Sequence, residues 1–133
     1  MTIPQADVNI PEIVAEVCAL YPRYEEALVS NDVATLMEMF WSSTDVVRFG
    51  ATENLHGIEE ILAFRQARPA ANLARAVQRL DVVTFGRDTA SVTLEFERRS
   101  GDRVRRGRQS QLWVRFPFGW RIVSAHVSLL PEG

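Results

Sequence analysis

The chain has 133 residues, of which 47% are hydrophobic and 24% are charged, a composition typical of one soluble domain with a buried core. Its formal net charge of −2 gives no positive field that would attract nucleic acid, and no apolar run approaches the ~20 residues of a membrane span. Because Cys18 is the only cysteine, an intrachain disulfide is excluded, and we expect a cytoplasmic protein without nucleic-acid or membrane partners.

A polar lead-in at residues 1–10 is predicted to be an arm, followed by a single domain at residues 11–133. Pro11 suits the first turn of a helix, and apolar residues then recur at spacings of three and four. Pro22 lies inside this pattern, so a kink or break is predicted near Tyr21. The side chains expected to face the interior are Ile13, Val17, Leu20, Tyr24 and Leu28.

A short second helix is predicted after Asn31 and Asp32, which end the first helix and cap the second. The next feature is an arginine, Arg48, inside a short apolar strand at residues 46–49. An ionised group taken out of water needs a partner, which is here either a protein carboxylate or an anionic substrate. The partner of Arg48 therefore bears directly on function.

A third helix is predicted to begin at Ile58, after a polar turn bracketed by Gly50 and Gly57. It should end before Pro69, because a residue that precedes proline is disfavoured in helical conformation. The spacing of three and four residues places two arginines on its apolar side. That side carries Ile58, Ile61, Arg65 and Arg68.

Two alternatives remain open for each of the main candidate site residues. Arg48 and Arg65 either clamp a substrate carboxylate in the fork geometry that such groups need, or pair internally with Glu53 or Glu60. Tyr24 either donates its hydroxyl to a substrate or is a core residue whose hydroxyl binds a backbone carbonyl. Composition and spacing alone indicate a small domain with an arginine-lined pocket.

From residue 73 the apolar period changes to two, which predicts β-strands. Turn signals at residues 86–88 and 117–119 separate successive strands. Three helices followed by a meander of long antiparallel strands indicate an α+β fold. The predicted strands cover residues 74–85, 89–98, 103–116 and 120–130.

The last hairpin has apolar residues on both of its predicted faces. One layer of helices covers only one face of a sheet, so the second face is predicted to be a homo-oligomer interface. The turn is predicted to centre on Phe118. The opposite pairs are then Val114 with Ile122, Leu112 with Ser124, Ser110 with His126, and Arg108 with Ser128.

The histidines and the basic run give weaker signals. His126 lies in an apolar strand and is either a general acid or base or a structural histidine, whereas His56 lies in a polar turn and is expected to be exposed. The basic run at 103–108 has no interleaved aromatic residues, which is typical of a solvated strand rather than an RNA-binding surface. No glycine-rich phosphate loop, metal-ligand spacing or serine nucleophile motif is present in the sequence.

Several motifs occur together between residues 10 and 130. They are the segments 24–32, 48–50, 53–55, 64–68, Gly-Arg-Gln-Ser-Gln at 107–111, and 119–128. In these segments the chain resembles the AtzH-like family, which belongs to the SnoaL-like group of the nuclear transport factor two-like superfamily. The motif at 107–111 and the Trp-Arg-Ile-Val run at 120–123 are the most specific.

The resemblance implies a cone-like fold, in which a strongly curved and mostly antiparallel sheet packs against three N-terminal helices and encloses a pocket. It implies a homodimer and a reaction that requires no metal or organic cofactor. It also implies catalysis by a tyrosine and an arginine, which fall on Tyr24 and Arg48.

The activity that the resemblance implies is the decarboxylating hydrolysis of a small carboxylated urea. Members resemble partners of amidases in the breakdown of ureido compounds, where 1,3-dicarboxyurea is converted to allophanate in cyanuric acid catabolism. We therefore expect a small anionic ureido substrate and a functional link to an amidase of the same pathway. The residues expected to bind the substrate are Arg65, Arg68, Gln109, Ser110, His126 and Ser128.

Two rival functions follow from the same residues. A non-catalytic accessory protein that binds a ureido metabolite or a partner amidase would keep the arginine-lined pocket without depending on the hydroxyl of Tyr24. An enzyme like steroid isomerases or polyketide cyclases would need an acidic base in an apolar pocket, where this sequence offers arginines and only Glu53.

Overall fold

A computed structural model of the protein describes residues 2–69 and 73–132. A short 3-10 helix at Gln5–Asp7 precedes three α-helices and six β-strands. None of the helices in these two ranges is long and apolar enough to cross a membrane. The elements are α1 (Pro11–Ser30), α2 (Val33–Met39), β1 (Val47–Phe49), β2 (Asn54–His56), α3 (Ile58–Ala67), β3 (Ala76–Phe85), β4 (Thr89–Ser100), β5 (Arg103–Phe116) and β6 (Gly119–Leu129).

The strands form one sheet in the order β2-β1-β6-β5-β4-β3. Strands β3 to β6 are an antiparallel meander, and β1 joins the far side of β6 in parallel, so that Arg48 lies opposite Ala125. The predicted α+β fold is confirmed. The polar turn predicted between Gly50 and Gly57 contains strand β2, which is only three residues long and too short to show an alternating pattern.

The helices cover one face of the sheet, and the core lies between the two layers. Burial alternates along β4 and β5, as expected for strands with one covered face. Trp113 of β5 and Phe96 of β4 are fully buried on that face, together with Leu36 of α2 and Ile61 of α3. Bulges in β3 and at the β5–β6 pairing interrupt the ladders, and such bulges bend a sheet.

The hairpin register is confirmed for three predicted pairs and wrong for the fourth. Leu112 pairs with Ser124, Ser110 with His126, and Arg108 with Ser128. A bulge then shifts the pairing, so Ile122 lies opposite Trp113 rather than Val114. The bulge brings both apolar side chains to the helix-covered face, where each is fully buried, which is the physical reason for the difference.

The opposite face of the sheet is polar and open to solvent in the single chain. Leu112 is 41% exposed there, and Ser110, Ser124 and His126 are also exposed. The homo-oligomer interface predicted for this face stays a prediction.

Helix α1 runs without a break from Pro11 to Ser30, with Pro22 inside it. The buried side of α1 is rotated slightly from the predicted one, because Tyr21 is buried and Leu20 is only partly buried. Proline cannot donate a hydrogen bond to the carbonyl four residues earlier, which belongs to Cys18. Both Pro22 and Cys18 lie on the exposed side of the helix, so water can bind that carbonyl and the helix continues.

Replacing Pro22 by alanine should stabilise the protein. The variant Pro22→Ala restores a helical hydrogen bond, and we expect the free energy of unfolding to rise by about 2 kcal/mol. Alanine is favoured over proline inside a helix by ~3 kcal/mol, and the greater freedom of the unfolded chain without proline offsets up to ~1 kcal/mol of that gain. Urea denaturation followed by circular dichroism measures this change. The matched control is Pro11→Ala at the first helical position. No residue there donates its backbone N–H within the helix, so replacing proline restores no hydrogen bond and no gain in stability is expected. Equal effects of the two variants would contradict this account.

Candidate functional site

A cavity of about 260 Å³ lies between the helices and the covered face of the sheet. It lies beside the turn between β1 and β2 and is bounded by α1, β1, α3, strands β4 to β6 and Arg75, which directly precedes β3. Its lining residues are Tyr24, Leu28, Arg48, Ala51, Thr52, Glu53, Phe64, Arg68, Arg75, Phe96, Arg98, Gln109, Val127 and Leu129.

Arg48 lies in β1, between β2 and β6, and only 5% of the residue is exposed. One of its terminal nitrogens, Nη1, donates to Oε1 of Glu53 at 2.9 Å. Its Nε is buried and has no hydrogen-bond partner among the described residues. The internal pairing with Glu53 therefore satisfies only part of the guanidinium. The other candidate partner, Glu60, accepts instead from the backbone N–H of His56 at 2.9 Å.

Gly50 makes the contact between Arg48 and Glu53 sterically feasible. A Cβ on Gly50 would lie 1.7 Å from Oε1 of Glu53, so any side chain there would displace the carboxylate. The second carboxylate oxygen accepts from the hydroxyl of Thr52 at 2.6 Å. Burial opposes ionisation of Glu53, but hydrogen bonds from Thr52 and Arg48 outweigh it and hold the pKa of the carboxyl below its usual range.

Arg65 is a buried charge without an ion-pair partner among residues 2–69 and 73–132. The residue is 1% exposed, and its Nε and Nη2 are buried without hydrogen bonds to the described chain. Burial, together with the positive charges of Arg48 and Arg68, lowers the pKa of Arg65 to about 10. The group is still charged at neutral pH. The guanidinium carbons of Arg48, Arg65 and Arg68 lie 5.2, 5.8 and 5.8 Å from the ring centroid of Phe64, so the three charges cluster around this one ring.

Arg75 forms the most extensively bonded part of the cavity wall. Its Nε donates to Oε2 of Glu25 at 2.8 Å, and its Nη2 donates to the other carboxylate oxygen at 2.9 Å. The same Nη2 donates to Oε1 of Gln109 at 2.9 Å and approaches the hydroxyl of Tyr21 at 3.4 Å. Arg75 was not among the predicted site residues. It directly precedes β3, and the spacing of residues in the chain gives no signal that connects it to Glu25, fifty positions earlier.

Phe96 and Gly107 fix the position of Arg75. The guanidinium lies 4.3 Å from the ring centroid of Phe96, a cation–π distance. The other side of that ring packs directly on Gly107, where a Cβ would lie 2.2 Å from Cζ of Phe96. A glycine is therefore required opposite Phe96 in the β4–β5 pairing, which explains the first position of the motif at 107–111.

Tyr24 brings a hydroxyl to the cavity from α1. The residue is 1% exposed, and its ring packs against Phe40 and Tyr21 with centroid distances of 6.3 and 5.7 Å. Its oxygen accepts from Nε2 of Gln109 at 3.5 Å. No backbone carbonyl accepts the Tyr24 proton within the described part of the chain, so the core alternative for this residue lacks its expected hydrogen bond.

Positive charge exceeds negative charge around the cavity. Burial lowers the pKa of Arg68 and of Arg98, and nearby guanidinium groups lower both pKa values further. The cavity and the buried layer beneath it contain five guanidinium groups and two carboxylates, an excess of three positive charges. These groups belong to Arg48, Arg65, Arg68, Arg75, Arg98, Glu25 and Glu53. Such an arrangement favours a small, multiply charged anion.

The structure brings together five of the eight predicted site residues. Tyr24, Arg48, Arg68 and Gln109 line the cavity, and Arg65 lies beneath it. Ser110, His126 and Ser128 lie on the opposite, open face of the sheet, because side chains alternate along a strand and the neighbours Gln109 and Val127 face the cavity.

The three residues on the open face have other neighbours. The ring of His126 packs edge-on against Phe49 at 5.8 Å, and Ser128 accepts a hydrogen bond from Arg108 at 3.2 Å. His56 is exposed as expected and contacts the same Phe49 ring at 5.7 Å. In residues 2–69 and 73–132, no group of three or more His, Cys, Asp or Glu side chains is arranged to hold a metal ion.

Comparisons with known proteins identify a family and a fold. A family model described as AtzH-like matches residues 6–133. A Pectobacterium atrosepticum protein of unknown function is 50% identical, covers 97% of this chain and 99% of its own, and has a TM-score of 0.93. A cystatin-like fold protein from Burkholderia xenovorans is 43% identical, covers 95% and 98%, and has a TM-score of 0.86. No curated protein matches the chain.

A more distant match extends the fold alone. A nuclear transport factor 2-like superfamily protein from Salmonella enterica is 21% identical, covers 92% of this chain and 94% of its own, and has a TM-score of 0.73. The cone-like fold expected from the sequence is thereby confirmed.

Removing the unpaired charge of Arg65 should stabilise the protein and weaken anion binding. We expect Arg65→Met to raise the free energy of unfolding by about 1–3 kcal/mol, because a buried group without partners is lost. Urea denaturation measures the stability, and titration calorimetry measures binding of glutarate, a dicarboxylate probe, which should weaken about tenfold or more. The control Arg79→Met removes an exposed arginine paired with Asp81 and should leave the stability almost unchanged. A loss of stability in Arg65→Met would contradict this account.

Displacing the carboxylate of Glu53 should strengthen anion binding, since Glu53 competes with a ligand for Arg48. Gly50→Ala moves the carboxylate sterically, and Glu53→Gln removes its charge. We expect each variant to bind glutarate about three- to tenfold more tightly in calorimetry, as the loss of one competing charged contact implies. The double variant should bind no more tightly than either single variant, because both release the same guanidinium. Weaker binding in both would mean that Glu53 itself holds the ligand.

Proposed function

The chain belongs to the AtzH-like family, and from this premise we propose that it is a cofactor-independent enzyme that removes one carboxyl group from a small carboxylated urea. The substrate proposed is 1,3-dicarboxyurea and the product is allophanate. The observation that carries this proposal is the excess of arginine over carboxylate around a cavity of about 260 Å³. A substrate with two carboxylates supplies the negative charge that the protein lacks there.

The size of the cavity supports a small ligand. Its volume of about 260 Å³ lies below the ~300–1,000 Å³ typical of sites for drug-sized molecules. An enzyme like the steroid isomerases would need a larger apolar site and an unpaired acidic base. The only carboxylate that lines this cavity within the described residues is that of Glu53, which is paired with Arg48 and has a lowered pKa.

The reaction needs a proton donor and a group that stabilises negative charge. The bond between a urea nitrogen and one carboxyl carbon breaks, carbon dioxide leaves, and the electron pair stays on the nitrogen. That nitrogen takes up one proton, so the dianion of dicarboxyurea plus one proton gives the allophanate monoanion and carbon dioxide. While the bond breaks, negative charge spreads from the nitrogen onto the urea oxygen.

Arg48 and Tyr24 are the proposed catalytic residues. Arg48 donates to the urea oxygen and to the retained carboxylate, which stabilises the charge that develops as carbon dioxide departs. Tyr24 supplies the proton to the nitrogen and is reprotonated from solvent. Arg68 holds the retained carboxylate beside the ring of Phe64, and the charge of Arg65 beneath the cavity strengthens that attraction.

The rival function is a non-catalytic protein that binds a ureido metabolite or an amidase. The same cationic cavity supports it, but it gives no reason for a tyrosine hydroxyl that lines the cavity and donates to no backbone carbonyl in the described chain. We further propose that the enzyme acts in the cytoplasm in nitrogen release from cyanuric acid, beside an amidase that consumes allophanate. A homodimer formed through the open face of the sheet completes the proposal.

The proposed reaction is tested by carbon dioxide release from freshly prepared 1,3-dicarboxyurea, with the spontaneous rate subtracted. We expect Tyr24→Phe to slow the reaction about 10²- to 10⁴-fold, and Arg48→Ala by about 10²-fold or more. Thermal melting confirms that each variant is folded. The control Arg79→Ala removes an exposed arginine that does not line the cavity and should retain the native rate.

The outcomes separate the enzyme from the binding protein. Glutarate binding without any acceleration of carbon dioxide release by the native protein would favour the binding function. Acceleration that persists in Tyr24→Phe would remove the tyrosine from the mechanism and leave Arg48 as the only catalytic group proposed.

A further inference from the structure

We propose that Gln109 is a positioning residue that directs the hydroxyl proton of Tyr24 into the cavity. This inference rests on the proposed function in one respect, that the ligand accepts a hydrogen bond from Tyr24. Gln109 acts through Tyr24, and its own position is set by Arg75, which is in turn held by Glu25.

The chemistry of arginine fixes the orientation of the Gln109 amide. A guanidinium has five N–H donors and no acceptor, so Arg75 can contact only the oxygen side of that amide. Its Nη2 lies 2.9 Å from Oε1 of Gln109. The NH₂ side of the amide therefore faces the hydroxyl oxygen of Tyr24, 3.5 Å away. Catalytic hydrogen bonds of this length in free enzymes commonly shorten when ligand binds.

Arg75 is held too firmly for this orientation to reverse. Its side chain is 2% exposed and is bound to both carboxylate oxygens of Glu25, at 2.8 and 2.9 Å. The ring of Phe96, 4.3 Å from the guanidinium carbon, closes one side. Burial opposes the charge on Arg75, but the hydrogen bond and the charge of Glu25 outweigh it and raise the pKa of the guanidinium. Both members of the pair therefore stay charged at neutral pH.

The contact with Gln109 determines what the Tyr24 hydroxyl can do. A phenol has one proton to donate, and its oxygen accepts from the donors of others. Because Gln109 presents only N–H groups to that oxygen, the proton of Tyr24 must point elsewhere. The ring faces Phe40 and Tyr21, the described residues accept no hydrogen bond from the hydroxyl, and Tyr24 lines the cavity. The proton is therefore directed at the ligand.

A double-mutant cycle tests this role and separates it from a purely structural one. Gln109→Met removes both hydrogen bonds of the amide with little change in volume, and Tyr24→Phe removes the hydroxyl that Gln109 is proposed to orient. Glutarate, which has two carboxylates and no bond that can be cleaved, is the probe in titration calorimetry. We expect Gln109→Met to weaken glutarate binding about 5- to 10-fold in the native background, and less than about twofold in Tyr24→Phe.

The result that overturns the proposal is a loss of affinity of equal size in both backgrounds. Such additivity would mean that Gln109 acts through packing or through Arg75, without regard to the hydroxyl. The matched control is Gln111→Met, which removes an equally buried amide two residues along the same strand, where its oxygen accepts from the indole of Trp113 at 2.9 Å. Its effect should not change between the two backgrounds.

The cycle is independent of the proposed reaction. If the native protein binds glutarate but releases no carbon dioxide from 1,3-dicarboxyurea, the enzyme proposal fails while the coupling between Gln109 and Tyr24 still decides the present inference. If both hold, kcat for carbon dioxide release should show the same pattern, with a loss in Gln109→Met that disappears in Tyr24→Phe. Coupling in affinity without coupling in kcat would confine Gln109 to ligand binding.

Discussion

The burial of arginine is the physical constraint on which the rest of this structure depends. Arginine stays charged at neutral pH, and a charge inside a protein needs partners. Two carboxylates, Glu25 and Glu53, serve five guanidinium groups around the cavity. Packing between helices and sheet forces these side chains out of water. Because the protein supplies fewer carboxylates than guanidinium groups there, the remaining positive charge favours binding of an anion from solvent.

The charged side chains that are paired within the protein pack closely against the backbone at two glycines. Gly50 leaves room for the carboxylate of Glu53 beside Arg48, and Gly107 leaves room for the Phe96 ring that supports Arg75. Neither glycine needs an unusual backbone conformation, since neither has a positive φ angle. Each is required because a Cβ would occupy space that a site side chain uses. The two glycines therefore shape the candidate site although neither lines the cavity.

Much of this arrangement could be predicted from the sequence, and the remainder depends on a long-range contact and on a bulge. The helices, the strand meander and the unusual position of Arg48 follow from local periodicity, which needs only near neighbours. Arg75 and its bonds to Glu25 escaped prediction because the contact joins residues that are fifty positions apart. The bulge beside Trp113 escaped it because bulges change register without a distinct residue signal. The same alternation of side chains predicts that Ser110 and Gln109 face opposite ways, and it removes Ser110 from the cavity.

The two ends of the cavity, around Arg75 and around Phe64, differ in how far their guanidinium groups are paired within the protein. This difference gives the two ends different roles in the proposed function. Arg75 donates to Glu25 and to Gln109, which holds Gln109 and through it Tyr24 in one orientation, although Nε of the neighbouring Arg98 is buried without a partner in the described residues. Around Phe64 the guanidinium groups repel one another and retain unused donors on Arg48 and Arg65. A ligand gains binding energy at the Phe64 end because it relieves that repulsion, whereas the bonds between Arg75, Glu25 and Gln109 need not break on binding, so the hydroxyl of Tyr24 can present its proton in a fixed direction. If Arg48 and Arg65 were fully paired within the protein, the fold would be more stable and the cavity would attract an anion less strongly. The unpaired arginines are therefore costly to the fold and necessary to the proposed function.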